Sequence, residues 1–247
     1  MNKPNYSVFR LTRVLTMLCM IVVLSVGIYS TFLAVRQTFY KYAVSSNIQN
    51  LSPTIIIDAG HGGEDGGTQS ASGILEKDIN LSISLTLRDI FDFFGFNTVM
   101  TRETDKLIYD PGNNGIKNKK VSDIHNRLAI TQEYAGSILI SIHQNYFTQS
   151  KYNGAQTFYS VNNPESEKLA LNIQKSIVSL MQPENQREIK PTGDEIYLLY
   201  HAENTAVMVE CGFLSNPEEA EKLNDDSYRK EMALAVFAGT YKYYCKR

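Results

Sequence analysis

The most apolar part of the chain is an uncharged run of 22 residues, Val14–Val35, made mostly of Leu, Val, Ile and Met. A helix needs roughly 20 such residues to cross a bilayer. Basic residues precede the run, which places residues 1–13 in the cytoplasm and everything after the run outside. A signal peptide has a shorter apolar core and a small-x-small cleavage site. The run offers only weak cleavage sites, so the pattern favours a membrane anchor, with a cleaved signal as the alternative, and either segment implies export.

Residues 36–53 form a predicted polar linker, after which strand and helix patterns alternate to the end of the chain. Continuous apolar runs predict strands, and apolar residues at helical spacing predict helices. The predicted strands are 54–58, 96–101, 137–143, 154–160, 196–200 and 206–209. The predicted helices are 76–94, 122–134, one opening at 163–164, one opening at 216–217, and 228–244. This alternation indicates an α/β fold, a mostly parallel twisted sheet with helices on both faces, forming a single domain over residues 54–247.

Charge is distributed unevenly along the chain. Residues 1–36 hold four basic residues and no acid, which leaves 20 basic and 26 acidic residues, a net charge of −6, for the rest. Nucleic-acid binding relies on Lys and Arg that neutralise phosphates. The acidic body therefore argues against a nucleic-acid partner, while it leaves a glycan or other polymeric substrate open.

Four side chains with suitable chemistry stand where an open parallel sheet places its ligands. His61 follows the first predicted strand within a glycine-rich turn, His143 ends the third strand, and Glu210 follows the last strand. Glu76 opens the helix that comes after the His61 turn. Ligands in such folds bind beyond the carboxyl ends of the strands, so we expect these four side chains to share one rim.

Two imidazoles and one carboxylate are a common catalytic zinc set that leaves a position for water, whose pKa the metal lowers to roughly 7. In that arrangement His61, Glu76 and His143 would bind the metal, and Glu210 would be the free acid that transfers protons. Two of these residues, taken alone, also have a simpler interpretation. His143 could be a core histidine, and Glu76 could be an acid that stabilises a helix start.

Five motifs in this order resemble those of the zinc-dependent N-acetylmuramoyl-L-alanine amidases, the family called amidase type 3. They are Ile57–Gly63, Leu75–Leu81, Thr101–Arg102, Ser141–Asn145 and Val209–Asn216. The resemblance implies one zinc ion per chain, held by His61, Glu76 and His143, with Glu210 catalytic. It also implies a substrate, peptidoglycan glycan strands with stem peptides, and a reaction, cleavage of the amide that joins the lactyl group of muramic acid to L-alanine.

Within that family the chain is most similar to the spore-cortex, germination-specific amidases. These share a single N-terminal apolar segment, the absence of wall-binding repeats, and a strand like Gly154-Ala155-Gln156. The similarity implies a role in forming muramic-δ-lactam together with a separate deacetylase, in the forespore–cortex space. Many other members have a glutamate at the position of Gln156, so this departure could leave Glu210 as the only acid/base. Gln156, Asn145 and Arg127 are candidate substrate-binding or rim residues.

Two other functions remain open from the sequence. One is a zinc-stabilised module that binds peptidoglycan without cleaving it, against which the presence of Glu210 argues. The other is a different zinc enzyme of the cell wall, a carboxypeptidase or a deacetylase. The sequence also leaves open whether an activating protein partner is required.

Overall fold

The computed structural model describes residues 6–45 and 53–246. The first of these stretches is one helix, α1, Tyr6–Ser45. Within it Leu15–Gln37 is long and apolar enough to cross a membrane, by length and composition only, and a signal sequence would pass the same test. The helix continues past residue 36, so the beginning of the predicted linker is helical. The rest of the linker, residues 46–52, lies outside the described residues.

Residues 53–246 lie in a second compact unit. Its strands are β1 (Ile55–Ala59), β2 (Thr98–Met100), β3 (Ile138–Asn145), β4 (Gln156–Tyr159), β5 (Lys190–Pro191) and β6 (Thr205–Phe213). Its helices are α2 (Glu76–Phe93), α3 (Ile116–Gln132), α4 (Pro164–Leu180), α5 (Tyr197–His201), α6 (Pro217–Asn224) and α7 (Asp226–Tyr244).

The six strands form one sheet in the order β2-β1-β3-β6-β4-β5. Neighbouring strands are parallel except for β4 and β6, which are antiparallel. Successive strand residues point to opposite faces, and the apolar residues of the strands divide accordingly between two cores. Ile55 and Ile57 pack with residues of α2, α4 and α7, whereas Ile56 packs with residues of α3 and α5. The predicted fold class, a mostly parallel sheet with helices on both faces, is confirmed.

The predicted strand at 196–200 is wrong, because this segment is the short helix α5. A short apolar run cannot be assigned to strand or helix by periodicity alone. In the helix Leu198 and Leu199 are buried against the α3 side of the sheet, while Tyr197 and Tyr200 stay exposed.

Two further differences affect the site. Helix α3 begins at Ile116, before the predicted helix start at residue 122, and β5 was not predicted because its two residues are exposed and carry no apolar pattern. Strands β3 and β6 continue to Asn145 and Phe213. His143 and Glu210 therefore lie within paired strands, and the sheet itself fixes their backbones.

Candidate metal centre and active site

Glu76 stands at the centre of the predicted ligand set. It is the first residue of α2 and is 1% exposed. Its Oε1 lies 3.2 Å from His61 Nε2 and 3.0 Å from His143 Nδ1. One candidate ligand atom from each of these three residues lies within 4.8 Å of the others. The structure thus brings together the three residues that the sequence analysis grouped as metal ligands.

The orientation of the Glu76 carboxylate is fixed by hydrogen bonds to both oxygens. Oε1 accepts from the Gln144 backbone N–H at 3.0 Å and from Asn80 Nδ2 at 3.3 Å. Oε2 accepts from the backbone N–H and the hydroxyl of Thr68 at 2.8 and 3.1 Å. Burial alone would raise the pKa of Glu76, but its bonds to His143 and His61 hold that pKa far below its ordinary range. The result is a rigid anion with two imidazoles beside it, an environment that attracts a cation.

Asp65 fixes the orientation of the His61 ring. Asp65 Oδ2 lies 2.8 Å from His61 Nδ1, which leaves Nε2 turned toward Glu76. Burial lowers the pKa of His61, but hydrogen bonds to Asp65 and Glu76 outweigh it and raise that pKa to about 9. In metal sites, a carboxylate commonly accepts a hydrogen bond from the ring nitrogen of a ligating histidine that does not bind the metal. This contact fixes the orientation and the tautomer of the ring. Asp65 was not predicted, and its position within the same glycine-rich turn is the signal that points to it.

Buried guanidinium groups hold the backbone of the His61 turn. His61 has φ 62°, in the left-handed region that non-glycine residues rarely adopt. Arg102 Nε and Nη2 donate to the carbonyls of Ala59 and Gly60 at 2.8 and 3.0 Å. Arg127 Nη1 and Nη2 donate to the carbonyls of Ala59 and His61, each at 2.8 Å. These bonds satisfy three successive carbonyls and stabilise the conformation that presents the His61 ring.

Arg127, a predicted rim residue, lies beneath the turn. It is 2% exposed. Its Nη1 lies 2.6 Å from Asp58 Oδ1 and its Nε lies 2.6 Å from Asp123 Oδ2. Burial would lower the pKa of Arg127, but the charges of Asp58 and Asp123 more than offset this and raise it. The structure therefore gives Arg127 contacts to the protein below the His61 turn instead of a place on the open rim.

Two glycines leave the space that the ligand side chains occupy. A Cβ atom on Gly60 would lie 2.2 Å from His143 Nε2. A Cβ atom on Gly67, where φ is +68°, would lie 2.6 Å from Glu76 Oε2 and 2.7 Å from His61 Cδ2. Only glycine fits at either position without moving a ligand side chain.

Glu210 lies beside the cluster without joining it. In the sheet it pairs with His143 on β3 and with Gln156 on β4. Its Oε2 is buried and has no hydrogen-bond partner among the residues that the structure describes. Burial raises the pKa of Glu210 to about 7, against the opposing charge of His143. A carboxyl group with such a pKa can accept and release a proton near neutral pH.

The remaining predicted rim residues are half-buried. Gln156 Nε2 donates to the Glu188 carbonyl at 2.8 Å, and its Oε1 accepts from Arg187 Nη2 at 2.5 Å. Asn145 ends β3, and its carbonyl accepts from the Leu214 backbone N–H at 2.9 Å. Gln156 is therefore the β4 residue paired with Glu210 on β6, and it is hydrogen-bonded to Arg187, for which the sequence predicted no role.

Comparison with known proteins agrees with this geometry. The family model described as N-acetylmuramoyl-L-alanine amidase matches residues 55–241. The germination-specific N-acetylmuramoyl-L-alanine amidase of Bacillus subtilis (strain 168) is 32% identical over 215 residues, covering 84% of this chain and 90% of that protein.

Solved structures give the same result. The CwlD amidase from Clostridioides difficile, solved in complex with the GerS lipoprotein, matches with a TM-score of 0.77 and 39% identity, over 79% of this chain and 100% of that one. The amidase AmiC2 of Nostoc punctiforme matches with a TM-score of 0.68 and 25% identity, over 79% of this chain and 98% of that one.

Proposed function

The chain belongs to the N-acetylmuramoyl-L-alanine amidase family, and on that basis we propose that it is a zinc-dependent peptidoglycan amidase. Its reaction is hydrolysis of the amide that joins the lactyl group of N-acetylmuramic acid to L-alanine. The observation that carries the proposal is the convergence of His61, Glu76 and His143 next to the unpaired Oε2 of Glu210.

The donor set fits a single zinc ion. Two imidazole nitrogens and one carboxylate oxygen are a common catalytic combination for this metal, and a closed structural site would need a fourth protein ligand. In this proposal His61, Glu76 and His143 hold the ion, and Asp65 orients His61. When bound, zinc supplies a Lewis acid that activates water and polarises the amide carbonyl.

Proton transfer belongs to Glu210. Its Oε2 has no protein hydrogen bond to give up and a pKa raised by burial to about 7, so it can take a proton from the attacking water. The same oxygen then delivers that proton to the nitrogen of the departing L-alanine. Gln156 is neutral and cannot share this task, and we propose that it helps to position the substrate together with Asn145.

We propose that the enzyme works outside the cytoplasmic membrane. Residues 14–35 would be the anchor or export signal, residues 36–53 the connection, and residues 54–247 the catalytic domain. The relative from B. subtilis is named a germination-specific amidase, which supports a role in spore cortex maturation, formation of muramic-δ-lactam and germination. The CwlD structure contains a lipoprotein partner, which supports a protein partner for this chain as well.

The test combines product and metal analysis on one preparation of the full-length chain in detergent. Incubation with insoluble peptidoglycan should release stem peptides with a free L-alanine amine, identified by mass spectrometry, and each chain should hold about one zinc ion. His143→Ala should lose both zinc and activity. His125→Ala, which changes an exposed histidine of α3, is the matched control and should lose neither.

Other products would identify other functions. Release of D-alanine would indicate a carboxypeptidase, and release of acetate would indicate a deacetylase. Binding to peptidoglycan with no released product, alone and with the candidate partner present, would indicate a zinc-stabilised binding module. A His143→Ala protein with full zinc content would refute the ligand set.

A further inference from the structure

Arg187 is held at the edge of the candidate active site in a fixed orientation. It precedes β5, and its guanidinium carbon lies 4.8 Å from the centre of the Phe213 ring. Its Nη2 donates to Gln156 Oε1 at 2.5 Å. Stacking on an aromatic ring and a hydrogen bond to a neutral amide fix the planar group without neutralising its charge.

The charge of Arg187 lacks a close acidic partner. No carboxylate among the described residues lies within ion-pair distance of it, and the charges of Glu219 and Glu210 act on it only from farther away. Its Nε is buried without a hydrogen-bond partner, and within the described part of the chain Nη1 has no acceptor either. Arg102 and Arg127, in contrast, donate hydrogen bonds to buried oxygen atoms of the protein.

A half-buried guanidinium with unused donors calls for an explanation, because buried polar groups are normally hydrogen-bonded. A guanidinium that is rigid but unpaired is well suited to bind a carboxylate in its fork, with charge-assisted hydrogen bonds. Because the side chain of Gln156 is neutral, the charge of Arg187 stays available for a ligand carboxylate. A glutamate or aspartate at position 156 would instead form an ion pair with Arg187.

The order of the strands indicates which part of the substrate passes Arg187. The sheet runs β1-β3-β6-β4-β5, so Glu210 on β6 lies between His143 on β3 and the β4–β5 edge that carries Arg187. Glu210 must reach the nitrogen of the leaving group to protonate it. A peptide that begins at this nitrogen and runs away from the His143 side of Glu210 would pass Gln156 and Arg187.

We propose that Arg187 is a specificity residue that binds a free carboxylate of the stem peptide, an inference that rests on the proposed amidase function. The stem peptide carries carboxylates, and it must pass next to the acidic Glu210. The guanidinium offsets that repulsion and positions the scissile amide.

The competing explanation is structural, namely that Arg187 only holds the segment before β5 against Gln156 and Phe213. The two explanations differ in their dependence on the substrate. A structural role affects every substrate equally, whereas a recognition role affects only substrates that carry the carboxylate.

The experiment uses one batch of insoluble peptidoglycan before and after conversion of its carboxylates to carboxamides with carbodiimide and ammonia. The full-length chain in detergent is assayed on both for release of the L-alanine amine, and the ratio of the two kcat/KM values is the readout. We expect the parent to prefer native over amidated polymer by about tenfold or more, the scale of a lost charge-assisted bond.

Arg187→Gln should lower activity on native polymer by a similar factor and leave activity on amidated polymer unchanged. Gln156→Glu should reduce the preference as well, because the new acid pairs with Arg187, and a ratio remains meaningful even if this variant is slower overall. Arg187→Lys, which keeps the charge and preserves folding if Arg187→Gln does not, should retain part of the preference. Arg88→Gln, at an exposed ion pair on α2, is the control and should keep the parent ratio.

Each result has one consequence. If the parent releases no L-alanine amine from either polymer, the proposed function fails. If the parent cleaves both equally well, or if Arg187→Gln slows both by the same factor, the amidase function stands and the role of Arg187 in recognition is refuted.

Discussion

Arg127 donates a hydrogen bond of 2.8 Å from Nη2 to the carbonyl oxygen of His61, the residue that adopts a left-handed conformation with φ 62°. The same guanidinium is paired with the buried Asp58. A candidate metal ligand is thus fixed through its backbone by an arginine that lies beneath the site.

Arg127→Lys should therefore weaken both the fold and the site. Lysine keeps the charge next to Asp58 but cannot span the carbonyls of Ala59 and His61. A buried carbonyl left without its donor costs about 1–3 kcal/mol, and we expect a loss of that size in the free energy of unfolding, measured with denaturant. Arg88→Lys, the same change at an exposed ion pair, should cost no more than about 1 kcal/mol. Equal losses in the two variants would show that the His61 turn does not depend on Arg127.

The grouping of His61, Glu76 and His143 could be predicted from the sequence because topology, metal-ligand chemistry and the family motifs all indicate one rim. Parallel strands end at one rim, and residues that follow such strands meet there whatever the details of packing. The position of Arg127 could not be found in this way. Its partners Asp58 and the His61 carbonyl are far away in sequence, so no local pattern predicts that this guanidinium lies beneath the turn.

Other features depended on contacts that a pattern does not contain. Helix α5 was mistaken for a strand because its two buried leucines are adjacent and leave no helical spacing to detect. Asp65 and Arg187 acquire their roles from single atomic contacts, to His61 Nδ1 and to Gln156 Oε1. Charged residues in polar segments are usually solvated, so composition does not single them out, and only Asp65 has a local signal, its place in the His61 turn.

Gly60→Ala should disable the site while leaving most of the sheet intact. The added methyl group would lie 2.2 Å from His143 Nε2, so the imidazole cannot keep its present position beside Glu76. We expect zinc content and amidase activity to fall together, measured by metal analysis and by release of the L-alanine amine. Gly66→Ala is the control in the same turn, because its Cβ atom would meet only the flexible end of Leu75, at 3.3 Å. Full zinc content in Gly60→Ala would show that the position of the His143 ring is not required.

Asp65→Asn should weaken zinc binding without removing a ligand. The carboxylate of Asp65 is 2.8 Å from His61 Nδ1 and makes the imidazole a better donor on its other nitrogen. Loss of such a partner typically costs 10–100-fold in metal affinity, and we expect about this factor in competition with a chelator. Glu64→Gln changes the neighbouring, exposed acid and should leave the affinity unchanged. An Asp65→Asn protein that binds zinc as tightly as the parent would contradict the assignment.

Glu210→Gln should separate chemistry from metal binding. The amide keeps the shape of the side chain but cannot accept a proton, and general acid–base groups typically contribute roughly 10²–10⁴-fold to a rate. We expect full zinc occupancy with turnover reduced by about this factor, both measured on one preparation. Zinc loss in parallel with activity would make Glu210 a ligand instead. Release of stem peptides at the parent rate would refute the proposed mechanism.

Glu210 should also reduce the stability of the metal-free protein above acidic pH. Its pKa is about 7 in the folded chain, raised by burial, and about 4.5 in the unfolded chain. Because the folded-state pKa is the higher one, the stability that this group contributes is complete below pH 4.5 and is lost as the pH rises through 7.

Glutamine does not ionise, so after chelation Glu210→Gln should be more stable than the parent at pH 8, by up to about 3 kcal/mol. The difference should shrink toward zero near pH 4.5, whereas the exposed Glu184→Gln should show no such trend in denaturant unfolding. A stability difference that is the same at both pH values would mean that the buried carboxyl group is not the origin of the effect.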